Sequence, residues 1–197
     1  RMKIFDVIIT PDMIIKGVKA ISLVEEPAID SDFLALKSEE MIQLAEVDKD
    51  QRILLGAVLI PDKPILRRRN EEVFYIRFSK ETIQKAQEYF FSNGFQNSTT
   101  IEHNGEDVQG NTVVESWIKE DEDKDKSNLY NLNAPVGSWL IKMKINNQDV
   151  WDDYVKTGKV KGFSIEGFFK PVEMTSMSNE MTGEDKVEQI RKILFDE

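Results

Sequence analysis

Apolar residues along this chain fall into short blocks separated by charged or turn-forming stretches, and most blocks carry strand character. Residues 2–10 read as a strand: Ile4, Val7, Ile8 and Ile9 are β-branched, and Pro11 closes the run. Residues 20–29 are apolar but broken by Glu25-Glu26-Pro27, which predicts an extended segment. Residues 37–50 are charged, with Met41, Ile42 and Leu44 spaced for a short helix or a linker. A near-continuous apolar run over 52–60 reads as a buried strand, and Pro61-Asp62-Lys63-Pro64 as a turn. Residues 73–78 alternate, with Phe74, Ile76 and Phe78 on one face.

The period then changes. Ser79 is a helix N-cap, Ile83, Ala86, Gln87 and Phe90 form one stripe, and Gly94 is the stop. Strands over 98–103 and 112–119 follow, joined by Asn104-Gly105 and Gly110-Asn111 turns. Residues 120–128 are too charged to bury and read as a solvated loop. Residues 138–145 form a strand with Trp139, Ile141, Met143 and Ile145 on one face. Asn147 caps a short helix ending at Gly158, and 160–172 reads as one last strand. Residues 174–183 read as flexible, and 184–195 as an amphipathic helix. Together these elements predict an α+β fold: a barrel-like, mostly antiparallel sheet with two or three helices. The expected organisation is an N-terminal strand and linker (1–50), a core domain (51–173) and a C-terminal linker and helix (174–197).

Composition narrows the chemistry. The 197 residues contain no cysteine, which removes disulfides, thiolate metal sites and cysteine catalysis and fits a reducing cytoplasm. The single histidine, His103, argues against a zinc site, and no metal or organic cofactor is expected. A net charge of −10 argues against a dedicated nucleic-acid binder; Arg67-Arg68-Arg69 is the only basic cluster. No apolar run approaches the length that crosses a bilayer, so no membrane partner is expected.

His103 also constrains any serine chemistry. A serine hydroxyl needs a base to become a nucleophile, and here an imidazole base has to be His103. The candidate nucleophile lies in Gly162-Phe163-Ser164-Ile165-Glu166-Gly167. Alternation puts Phe163 and Ile165 on a core face and Ser164 and Glu166 on the other, toward a surface or groove. The stretch lacks the strand-to-helix turn of a Gly-x-Ser-x-Gly elbow, which disfavours a generic esterase. By spacing alone, an ordinary strand-end histidine and a solvated strand serine give the same pattern.

Several stretches together carry a resemblance: residues 21–29 (Ile-Ser-Leu-Val-Glu-Glu-Pro-Ala-Ile), Glu102-His103-Asn104, Val113-Val114-Glu115-Ser116-Trp117 and Gly162–Gly167. In this order the chain resembles the XkdF-like serine proteases of tailed phages, relatives of prohead maturation proteases and, more distantly, of herpesvirus assemblins. The resemblance implies Ser164 as nucleophile and His103 as general base. It implies a protease that acts on phage scaffold and capsid proteins, and on itself, inside the assembling prohead in the host cytoplasm. A homo-oligomer is compatible with this. The alternative is a virion structural or scaffold-associated protein that keeps the fold without turnover.

Assemblins use a second histidine, which this chain lacks. Related prohead proteases place an acid on a strand after the serine, and little strand-forming sequence remains beyond Val172. Two carboxylates are therefore candidates for the third position. Glu115 is expected on a strand pairing back against the histidine strand, and Glu166 lies two residues beyond Ser164 on the same face. The resemblance also implies cleavage after glutamate in an apolar-x-Glu context. Leu23-Val24-Glu25 and Leu44-Ala45-Glu46 match, in stretches expected to be extended or loosely held.

Overall fold

Backbone pairing divides the strands among three sheets in the computed structural model, which describes residues 3–8, 18–25, 45–48, 51–69, 72–167 and 170–173. The strands are β1 (Lys3–Ile8), β2 (Val18–Val24), β3 (Ala45–Asp48), β4 (Ile53–Leu59), β5 (Ile65–Arg69), β6 (Glu72–Phe78), β7 (Thr99–Ile101), β8 (Asn111–Ile118), β9 (Trp139–Ile145), β10 (Gly162–Gly167) and β11 (Lys170–Glu173). The first sheet has the order β11-β1-β6-β5, the second β10-β2-β7 and the third β3-β4-β9-β8. Two ladders, β1–β6 and β2–β7, are parallel, and the others are antiparallel. The α+β class and the dominance of β-structure follow the sequence expectation. A closed barrel does not form among the described residues: the strands pair into three separate sheets.

The helix α1 (Lys80–Ser92) begins where Ser79 accepts the Thr82 backbone N–H, and it buries Ile83, Ala86 and Phe90. Gly94 follows with φ 74°, the left-handed conformation that suits a helix stop. A second helix, α2 (Gln148–Val150), is capped by Asn147 and widens into a π-helical turn at Trp151–Val155. The proposed 184–195 helix and the 37–44 segment lie outside the described residues.

One core joins all three sheets to α1. Ile21 and Leu23 of β2, Phe163 of β10, Phe78 of β6, Leu54 and Val58 of β4 and Ile141 and Met143 of β9 meet Ile83 and Phe90. Trp139 is fully buried at its centre, edge-on to Phe90, and donates its indole N–H to Ser116 Oγ at 2.8 Å. A smaller cluster, Leu55, Leu132, Ala134 and Leu140, fills another part of the third sheet.

Three sequence expectations change here. The run 160–172 is two strands: β10 pairs with β2, whereas β11 pairs with β1 in the first sheet. Residues 98–119 do not make a hairpin. β7 runs parallel to β2, and β8 pairs with β9. The acidic 120–128 stretch is not wholly solvated, since it enters a 3-10 turn (Lys126–Tyr130) that buries Ser127. In addition, β1 and β2, from the segment set apart as 1–50, are interior members of their sheets.

Trp139→Ala should cost about 3–5 kcal/mol of stability in urea titration, because it opens a large cavity where the indole meets α1. Leu129→Ala, at an 81% exposed position, should stay within about 0.5 kcal/mol of the parent. Similar losses for both would show that Trp139 is not the packing centre.

Candidate active site

The second sheet carries alternating rows across its three strands. Phe163, Leu23 and Ile101 stand side by side, and so do Ser164, Ser22 and Thr100. Phe163 and Leu23 belong to the main core, so the hydroxyl row takes the opposite face. The predicted separation of Ser164 from Phe163 and Ile165 therefore holds. Of the surface or groove expected on that face, an open surface is not what Ser164 meets: it is 4% exposed, Thr100 3% and Ser22 fully buried. Ser164 does not face open solvent but sits in a row of buried hydroxyls.

Glu166 stands on β10 opposite Ala20, which has no side chain beyond its methyl group to block the way. Its carboxylate leans across β2 and accepts the Thr100 hydroxyl at Oε1. The same Oε1 lies 3.4 Å from His103 Nδ1. One glutamate oxygen thus joins the hydroxyl row to the imidazole. The imidazole is the more open partner, with the His103 side chain 42% exposed and that of Glu166 23%.

His103 is not on a strand. β7 ends at Ile101, and Glu102 and His103 both turn into the left-handed region, with φ 50° and 53°. Consecutive non-glycine residues there are strained and need outside support. Two contacts provide it. Glu102 Oε1 accepts the Glu25 backbone N–H at 2.6 Å, and Ser22 Oγ accepts the His103 backbone N–H at 3.1 Å. The turn is closed further by the Asn104 N–H to the Ile101 carbonyl.

The structure brings the His103 and Glu166 side chains together beside the sheet whose β10 strand carries Ser164. With Nδ1 facing Glu166, Nε2 is the ring nitrogen left for a serine. No hydrogen bond joins Ser164 Oγ to His103 among the described residues. Glu115 lies elsewhere. It is on β8 in the third sheet, paired with Lys142 at 2.8 Å and with Lys126. Burial, and next the Lys142 charge, lower the Lys126 pKa, so this carboxylate is occupied holding two crowded ammonium groups. The sequence reading missed Ser22, Thr100 and Glu102 as neighbours of the site. Ser22 and Glu102 did lie in the stretches that carry the resemblance, but neither stretch says which strands meet.

A family model described as "Putative phage serine protease XkdF" matches residues 40–173. That span holds Ser164, His103, Glu166 and Glu115 but neither β1 nor β2. No curated protein and no solved structure matches.

The approach of Nδ1 to Glu166 Oε1 leads to a tautomer prediction. In the neutral imidazole, the proton should sit on Nδ1, facing Glu166. Nitrogen-15 NMR of the His103 ring should report that form in the parent chain and lose the preference in Glu166→Ala. An Nε2-protonated ring in the parent chain would show that Glu166 does not set the orientation.

Proposed function

Because the chain belongs to the XkdF family of phage serine proteases, we propose that it is a prohead maturation protease with Ser164 as nucleophile, His103 as general base and Glu166 as the third member. The observation that carries the reading is Glu166 Oε1 beside His103 Nδ1 at the end of the strand that bears Ser164. In this scheme Ser164 Oγ attacks the scissile carbonyl and its proton passes to His103 Nε2. The imidazolium then protonates the leaving amine, and water completes hydrolysis of the acyl-enzyme by the reverse roles. Glu166 orients the ring and stabilises its cation. The substrates in this reading are scaffold and capsid proteins in the assembling prohead.

Self-processing is part of the proposal, with its site narrowed. Leu23 and Val24 are buried in β2, which is paired on both sides, so cleavage after Glu25 would require that sheet to open. The stretch is extended, one of the two states expected, but it is paired on both sides and not loosely held. Glu46 lies on β3, which among the described residues is the edge strand of the third sheet, the kind of strand to which a second chain can pair. Glu46 is therefore the proposed cut.

One observation favours the second reading, a structural virion or scaffold-associated protein without turnover: Ser164 is buried and not bonded to His103. Labelling with a serine-reactive fluorophosphonate separates the two. Ser164→Ala and His103→Ala should each lower labelling and proteolysis on the order of 10³-fold or more, and the double variant should be scarcely worse. Glu166→Ala should fall between these and the parent, and Glu115→Ala should match the parent. A parent chain that is folded yet neither labelled nor proteolytic would establish the structural reading. A loss with Glu115→Ala equal to that with Glu166→Ala would remove Glu166 from its role.

A further inference from the structure

We propose that Ser22, on a strand outside the matched 40–173 span, is a positioning residue that holds His103 in its working conformation. This rests on the Ser164–His103–Glu166 reading above. Ser22 is fully buried at the centre of the hydroxyl row, with Ser164 on one side and Thr100 on the other. Its Oγ accepts the His103 backbone N–H at 3.1 Å. A buried hydroxyl is costly unless it is bonded, and a left-handed histidine is costly unless it is held. One hydrogen bond answers both requirements.

The geometry also explains why a side chain does this work. The parallel β2–β7 ladder continues one residue past β7, through the Glu102 N–H to the Leu23 carbonyl. His103 then turns out of the ladder, and its N–H meets Ser22 Oγ, not a β2 carbonyl. The imidazole is thereby launched from directly beside the residue that faces Ser164. Without the hydroxyl, the His103 N–H loses its partner and the ring loses its fixed start. The Glu102 carboxylate on the Glu25 N–H secures the neighbouring residue of the same turn.

Ser22 touches no reacting atom in this scheme, so its effect must pass through His103. Ser22→Ala should lower the fluorophosphonate labelling rate of Ser164 by about tenfold, the order expected from loss of one hydrogen bond that organises the base. In a His103→Ala background the same change should have almost no effect. Ser22→Thr, which keeps the hydroxyl, should recover most of the rate. Independently of any variant, the His103 amide should exchange slowly with deuterium in the parent protein despite the exposed ring. Labelling of Ser22→Ala at the parent rate, or an equal loss in both backgrounds, would overturn the proposal. So would a freely exchanging His103 amide, which decides the matter even where Ser22→Ala fails to fold. A parent chain that is not labelled at all counts against the protease reading, whereas the exchange result still reports on the Ser22 contact.

Discussion

The register of β2 between β10 and β7 decides what every other part of the site can do. Side chains alternate along a strand, so a slip of one residue would exchange the two faces of the sheet. Ser164 would then enter the core, and Phe163 or Ile165 would take its place beside Ser22. The core prevents this. Ile21 and Leu23 of β2 and Phe163 of β10 are all buried in the main cluster, and moving any of them to the polar face forfeits that burial. Packing on one face thus holds the hydroxyls in line on the other. The alignment of the hydroxyl row is set by hydrophobic contacts on the opposite face.

Locally encoded elements were legible, and non-local pairings were not. The α1 helix could be read because its cap, stripe and stop all lie within about four turns of chain: Ser79, Ile83, Ala86, Phe90 and Gly94. The β7–β8 hairpin was suggested by equally local signs, two β-rich runs joined by Asn104-Gly105. The structure instead gives β7 a partner far earlier in the chain, and a parallel ladder has no tight-turn signature to betray it. The 160–172 run misled for a related reason. Its composition suits a strand throughout, but composition does not mark the point where a chain leaves one sheet for another. Alternation placed Ser164 on the correct face, while its burial depends on surroundings that strand periodicity does not report.

The two glutamates show how far residue type can go. Glu115 and Glu166 were both candidates in sequence terms, the first on a strand expected to pair back against the histidine strand and the second two residues beyond Ser164 on its face. In the folded chain, Glu115 is held by Lys126 and Lys142, while Glu166 has the Thr100 hydroxyl and the imidazole. A carboxylate shared by two ammonium groups would have to give up both to reach another partner. One that accepts a single hydroxyl keeps capacity for a ring N–H. Ala20 makes the second case available, because a larger side chain opposite Glu166 would stand in the carboxylate's path across β2.

Strain at the histidine turn ties these observations together. Glu102 and His103 each occupy a conformation that costs on the order of 1 kcal/mol or more for a residue with a side chain. The chain could relax by letting the ring swing outward, which would separate Nδ1 from Glu166. The contacts opposing that motion come from β2 and the residue after it: Ser22 Oγ accepts the His103 N–H, and the Glu25 N–H donates to the Glu102 carboxylate. The family match begins at residue 40, yet the strand whose Ser22 accepts the His103 N–H ends at Val24. The proposed site therefore joins a matched segment, which holds Ser164, His103 and Glu166, to an earlier strand that holds none of them and hydrogen-bonds the backbone of one. Residues that never meet a substrate can be as necessary to such a site as those that do, because an imidazole is useful as a base only where its second nitrogen points at the serine.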